Sequence, residues 1–361
     1  MTRSFPAAAR RVAVGTVTAA LVAACTSPSS AGGPPRSGTA GAGPATTTAS
    51  RPGARQTTAT SSAKPSGNAS ASGTSSANAT RSGPPRISSV ASFPYPLSRM
   101  AVAVSGSTVV VLGGLRNGSM SSGDVFTFDP VSRSVRRTAT LEKAVHDTAA
   151  AVAGGAVVLF GGGAASESSD VQRLSGGRTT RVAALPQPRS DLVTASVGGT
   201  VYVIGGYTGR ADTPDVLATT DGVHFRVVGR LPVTVRYPAV AVTGTTIWVI
   251  GGDHALAPTD VVQRIDTTTG RISLVGHLAH ALGHASAWTR ADGTVLVAGG
   301  RLTGDRLSGA VSRFDTRTLA LTTVASLPRP TADMGVSVLN GVAYLFGGEA
   351  ASRITSIVSV G

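Results

Sequence analysis

The chain of 361 residues has one cysteine, Cys25, so no disulfide can close within a molecule. Lysine is nearly missing as well: Lys64 and Lys143 are the only two, and arginine carries the remaining positive charge. The first 85 residues contain no Asp or Glu. Residues 26 to 85 also lack aromatic rings and any aliphatic side chain beyond alanine. A segment of Ser, Thr, Ala, Gly and Pro has nothing to bury, so it is expected to be a disordered tether reaching roughly 40 to 50 Å on average. Long apolar runs are missing too, since Val12 to Val22 is too short for a permanent membrane span. These absences exclude a disulfide scaffold and a packed core in residues 26 to 85.

The net charge of +14 is misleading when assigned to the whole chain. Eight of the 32 basic residues precede residue 86, which leaves 24 against 18 acids and a net of +6 for the remainder. That is too modest for a nucleic-acid footprint, and no nucleic-acid partner is expected. The arginines of the tether suit anionic lipid or wall polymer better.

The N-terminus has the order of a targeting segment: Arg3, Arg10 and Arg11, then the apolar stretch, then Val22-Ala23-Ala24-Cys25. This ending resembles the bacterial lipoprotein signal, which implies cleavage before Cys25 and lipidation of that residue. Arg10-Arg11 leaves twin-arginine export open beside the general route. The expected layout is a signal peptide at 1–24, lipidated Cys25 with the tether at 25–85, and a folded domain at 86–361. The protein would then sit lipid-anchored on the extracytoplasmic face of a bacterial membrane.

In the folded part, apolar runs climb six times into a glycine pair: Gly113-Gly114, Gly161-Gly162, Gly205-Gly206, Gly251-Gly252, Gly299-Gly300 and Gly347-Gly348. The intervals between first glycines are 48, 44, 46, 48 and 48 residues, a period that marks a repeat architecture. About twenty residues before each pair lies a second landmark, Phe93-Pro94, Leu141-Glu142, Leu185-Pro186, Leu231-Pro232, Leu278-Ala279 and Leu327-Pro328. A third follows each of the first five pairs: Asp124-Val125, Asp170-Val171, Asp215-Val216, Asp260-Val261 and, with the acid lost, Ala310-Val311. Each unit reads as four short strands, in the fourth unit Ala239 to Val242, Thr246 to Ile250, Val261 to Ile265 and Ile272 to Gly276. The second of these is apolar at every position, which buries both its faces, as in an inner strand covered by neighbouring sheets.

Over residues 86 to 361 the chain resembles the kelch-repeat family. The likeness rests on the runs into the glycine pairs, the leucine-proline steps and the acidic turns Phe128-Asp129-Pro130, Ile265-Asp266-Thr267 and Phe314-Asp315-Thr316. It departs from the family where a tryptophan is usual, since Val135, Ile272 and Leu321 stand there. The resemblance implies an all-β, six-bladed propeller of four-stranded antiparallel blades. The sixth unit stops after Ile354 to Val360, so the segment Arg86 to Phe93 is expected to supply its fourth strand and remove an open edge.

In such a ring the chemistry belongs to the loops at one mouth of the channel. Fourteen residues before each first glycine stand Arg99, Asp147, Asp191, Tyr237 and Asp333, and an insertion near Arg290 shifts the fifth count to Gly283, beside His284. Among the residues after the glycine pairs, Arg210, Asp253 and His254 join these as candidate ligand-binding groups. His277, His280 and His284 have no carboxylate or cysteine partner nearby in sequence, so no metal is expected. No cofactor is expected either: the copper-radical oxidases that share kelch repeats need a cysteine cross-linked to tyrosine, and the repeats have no cysteine. Thr219-Thr220-Asp221-Gly222 faintly resembles a sialidase Asp-box but fits an ordinary turn. No Ser-His-Asp order or phosphate loop is present, and no catalytic residue is assigned. The reading is a monomeric binding module for a cell-wall glycan or an exported protein, with a sialate-mutarotase-like carbohydrate enzyme as its alternative.

Overall fold

The computed structural model describes residues 83–361. The expected export signal, Cys25 and nearly all of the tether lie outside the described residues. Strands dominate, with two single-turn helices at Asn117–Ser119 and Thr303–Asp305. No helix among the described residues is long and apolar enough to cross a membrane.

The strands follow the six repeats. In the fourth they span Ala239–Thr243, Thr246–Ile250, Val261–Asp266 and Ile272–His277, within one residue of the sequence expectation. Second strands are buried on both faces, as Val109, Val111, Leu112, Ile204, Val249 and Ile250 all have no exposed surface. Their partners lie in the adjoining repeats. Six hydrophobic clusters occupy the six junctions between consecutive repeats, the last of them joining Leu339, Phe346 and Ile357 to Phe93, Val109 and Phe128. The six first strands likewise touch in a closed cycle, Gly335–Leu339 of the last repeat meeting Ala101–Ser105 of the first. The arrangement is that of a propeller.

The expected set of separate blades is altered at one place. Four sheets stand alone with four strands each, while the first and second repeats share one eight-stranded sheet. Their outer strands, Ser134–Thr140 and Arg178–Ala184, meet in a single parallel bridge between Thr140 and Arg178. The bridge is reinforced by the Thr140 amide donating to the Gly177 carbonyl at 3.2 Å.

Closure uses the N-terminal strand. Ile87–Ser92 runs antiparallel to Ser356–Val360, with Ile87 opposite Val360 and Ser92 opposite Ser356. Its one-residue register shift near Ser89 matches the bulge that each of the other third-to-fourth strand pairs carries, as at Val262/Gln263. Four of the eight phenylalanines, Phe93, Phe126, Phe128 and Phe346, pack at this junction with ring centroids 5.4 to 6.4 Å apart. Aromatic area of this kind is among the strongest per residue, so the seam is densely held.

The landmarks have physical jobs. Asp124, Asp170 and Asp215 each begin a third strand and Asp260 immediately precedes one, and they pair with a base on the fourth: Arg137, Arg181 (2.7 Å), Arg230 (2.9 Å) and His277 (2.9 Å). In the fifth repeat Ala310 faces Ser326, so the acid and its base are lost together. The turn acids Asp129, Asp266 and Asp315 accept backbone amides two and three residues on, as turn-capping aspartates do. Val135, Ile272 and Leu321 pack in the half-buried junctions where the family's tryptophan would lie.

The glycine pairs are the sharpest case. The first glycine of each has φ between +54° and +67° and the second between +100° and +115°. The amide of the second donates to a carbonyl of the next repeat: Gly114 to Val145, Gly162 to Arg189, Gly206 to Val235, Gly252 to Leu282, Gly300 to Thr331 and Gly348 to Leu97, all at 2.8 to 2.9 Å. A Cβ on Gly251 would strike the Leu282 carbonyl oxygen, whereas Gly244, with φ +57°, has open space around it. Gly251→Ala should therefore destabilise the domain by on the order of 3 kcal/mol or more, and Gly244→Ala by only about 1 kcal/mol, the cost of its backbone angle. Denaturant unfolding of the two variants checks this, and equal losses would mean that the close approach is unimportant.

Candidate functional site

The residue that opens each repeat's first strand approach is locked by its neighbours. Arg99, Asp147, Asp191, Tyr237, His284 and Asp333 all have φ between +51° and +59°, which side chains other than glycine's rarely adopt. Their amides and carbonyls form a closed cycle. Asp147 donates to Arg99, Asp191 to Asp147, Tyr237 to Asp191, His284 to Tyr237, Asp333 to His284 and Arg99 to Asp333, at 2.9 to 3.1 Å. Strain at six positions, each roughly 1 to 3 kcal/mol, persists only where the surroundings dictate it. Its effect is to aim six different side chains at one opening.

Those six line a cavity of about 110 Å³ whose floor includes Met100, Leu192, Pro238 and Met334. Beneath it a chamber of about 220 Å³ is walled by the first strands, with Val102, Ala150, Thr194, Val240, Ala287 and Val336 among them. The mouth thus carries the charged side chains, and none of the residues lining the chamber below is charged.

Polar loop residues are ordinarily solvent-exposed, but these are covered. Asp147, Asp191, His284 and Asp333 are buried and Arg99 and Tyr237 half-buried. Asp253 joins them, its Oδ2 lying 3.1 Å from His284 Nε2. His254 and Arg210 do not: both are exposed, and His254 turns back to the Thr234 carbonyl. The three histidines considered for a metal are dispersed, His277 onto Asp260 and His284 into the mouth. Asp221 of the faint Asp-box accepts the amides of Val223 and His224 and serves its turn.

An ion-pair network surrounds the mouth. Arg99 reaches Glu349 (3.2 Å), Asp147 (3.5 Å) and Asp333 (3.6 Å). Arg301 bridges Asp333 (3.0 Å) and Glu349 (2.7 Å), and Arg353 lies 3.4 Å from Glu349. Arg236 meets Asp191 (3.4 Å) and Asp212 (3.8 Å). His284 Nδ1 is 2.5 Å from Asp333, and its ring stacks on Tyr237 with centroids 4.0 Å apart. Arg236 and His146 are participants that lie outside both sets of positions from which the candidates are drawn. Each immediately precedes a ring residue, and a polar side chain at that position was the available signal.

Protonation differs from group to group. Burial alone would push His284 down, but Asp333 and Asp253 outweigh it and raise the imidazole to about 9. Burial raises Asp333, yet His284, Arg99 and Arg301 more than offset this and hold it at about 2. Asp147 goes the other way: burial, with Asp191 and Asp333 adding to it against Arg99, lifts it to about 7. Asp191 is also raised by burial. His146 is lowered by burial and by Arg99 and Arg353. The mouth therefore holds a charged imidazolium–carboxylate pair beside two carboxyls that ionise reluctantly.

The His284 pair carries a definite sign. Its folded value lies above the ordinary 6.5, so its stabilisation is complete below about pH 6.5 and vanishes as pH rises through about 9. Denaturant unfolding should lose about 2 kcal/mol from this group between pH 7.5 and 10, and His284→Gln should flatten that slope. An unchanged slope in the variant would show that the imidazole is neutral.

No protein-family model matches the chain, and no curated protein sequence matches it. Among solved structures, one described as "Structure of YjhT" is similar over 75% of this chain and 97% of its own, with 16% identity and a TM-score of 0.65. At that identity the likeness is one of fold, a kelch-like β-propeller.

Proposed function

We propose that the protein is an extracytoplasmic, lipid-anchored six-bladed propeller that binds a wall glycan at the channel mouth. The blade count takes the eight-stranded sheet as two blades joined at one bridge. One observation carries the binding reading: six side chains from six repeats converge on a single recessed opening and are held there by strained backbone. Carboxylates, guanidinium groups and a tyrosine hydroxyl in one small cavity match the paired donors and acceptors of sugar hydroxyls. An exported protein is the weaker partner, since a flat surface would not reach carboxylates as buried as Asp147 and Asp333. A glycan-array screen of the full chain tests this. Binding of one sugar class that falls about tenfold or more in Asp191→Asn, with exposed Arg133→Ala silent, is expected; no sugar bound would overturn it.

A second reading is favoured by Asp147, whose value of about 7 beside Asp191 suits proton exchange at a sugar's anomeric centre. That is the sialate-mutarotase-like alternative, and faster anomer interconversion seen by NMR, lost in Asp147→Asn, would support it.

Anchoring rests on Cys25 as the end of the signal. Cys25→Ser should move the protein from the membrane fraction to the soluble fraction, as followed by fractionation and immunoblot. Unchanged membrane retention would rule out the lipid anchor.

A further inference from the structure

The charges of the mouth are unevenly satisfied. On one side Asp333 and Glu349 share Arg99, Arg301 and His284 at 2.5 to 3.6 Å, and every carboxylate oxygen there has a cationic neighbour. On the other side stand Asp147 and Asp191, consecutive members of the backbone cycle. Asp147 Oδ1 is buried without a hydrogen-bond partner among the described residues, and its side chain is only 7% exposed. Its Oδ2 faces Arg99 at 3.5 Å, a cation already divided between Asp333 and Glu349, and His146 at 3.4 Å. Asp191 has Arg236 at 3.4 Å, which also serves Asp212. Within the ion-paired network as a whole, six carboxylates face four arginines and His284.

A buried carboxylate without its full complement of partners either takes up a proton or waits for a cation. Both carboxyls border the cavity, and so does Tyr237, whose hydroxyl accepts from Arg99 at 3.3 Å. A positive group arriving here would meet two acids and the edge of an aromatic site, while an anionic group would meet arginines whose carboxylates it would have to displace. Taking as given that the mouth binds a glycan, we propose that the sugar is recognised through a free, protonated amine seated between Asp147 and Asp191. The ligand class is an amino sugar whose nitrogen is not acylated. Arg99 keeps its existing pairs and orients the carboxylates, and the ammonium donates to Asp147 Oδ1.

The test is isothermal titration of the full chain near neutral pH with a β-1,4-linked glucosamine oligomer and with its N-acetylated counterpart. The amine form should bind about tenfold more tightly or better, and Asp147→Asn and Asp191→Asn should each erase most of that preference. Equal or tighter binding of the acetylated oligomer would overturn the amine while leaving the glycan reading standing. A preference that survives in both variants would place the amine elsewhere and overturn the assignment. Failure of both oligomers to bind, with another array sugar held at the mouth, would also overturn it; failure with every sugar would remove the glycan reading itself.

Discussion

One hydrogen bond, made six times, sets the geometry of this domain: the amide of the second glycine in each pair donates to a carbonyl just ahead of the next repeat's first strand. It requires two consecutive residues with positive φ and a backbone approach that leaves no space for a Cβ. That explains why the glycine pair is the most regular feature of the chain. Because the bond from Gly348 returns to Leu97, the series has no free end. Apolar burial between repeats supplies most of the stabilising energy, but it is non-directional. The glycine bond fixes how far apart adjacent sheets stand and which loops come together.

The mouth is a consequence of that spacing. Two residues after the accepting carbonyl, the chain turns through a left-handed residue and joins the backbone cycle from Arg99 to Asp333. The cycle uses only main-chain atoms, so side-chain identity is free to vary from repeat to repeat. Arg, Asp, Asp, Tyr, His and Asp can therefore share one backbone conformation, and the molecule builds an asymmetric charge distribution on a symmetric frame. Substituting a ring residue changes chemistry without removing a cycle bond, although the buried ion pairs make such changes costly.

Much of this was legible from residue types alone. Glycine pairs, leucine-proline steps and third-strand acids each answer to a local requirement that one repeat can express, and counting back from each glycine pair found five of the six ring positions, stopping in the fifth repeat at Gly283, one residue short of His284. Burial of those positions was not legible, because Asp and Arg ordinarily mark solvent, and only ion pairing between different repeats lets them be covered. Arg189 shows the same limit. It occupies a position held elsewhere by Leu97, Val145, Val235, Leu282 and Thr331, yet it is fully buried, donates to the Asp215 carbonyl and is lowered by burial to about 10. Nothing in its flanking residues separates it from the exposed arginines. The bridge between Thr140 and Arg178 is equally silent in sequence, since it joins two outer strands at one residue each.

The strand Ile87–Ser92 has a consequence in time. Among the described strands it is the first to be synthesised, and its only sheet partner, Ser356–Val360, is the last. Until the final residues are available, the earliest strand has nothing to pair with and the first repeat lacks one of its two walls. Closing a loop of nearly the whole domain adds little entropy per residue but makes the last step slow and strongly non-local. The ring can therefore be completed only once its last described strand, Ser356–Val360, is available.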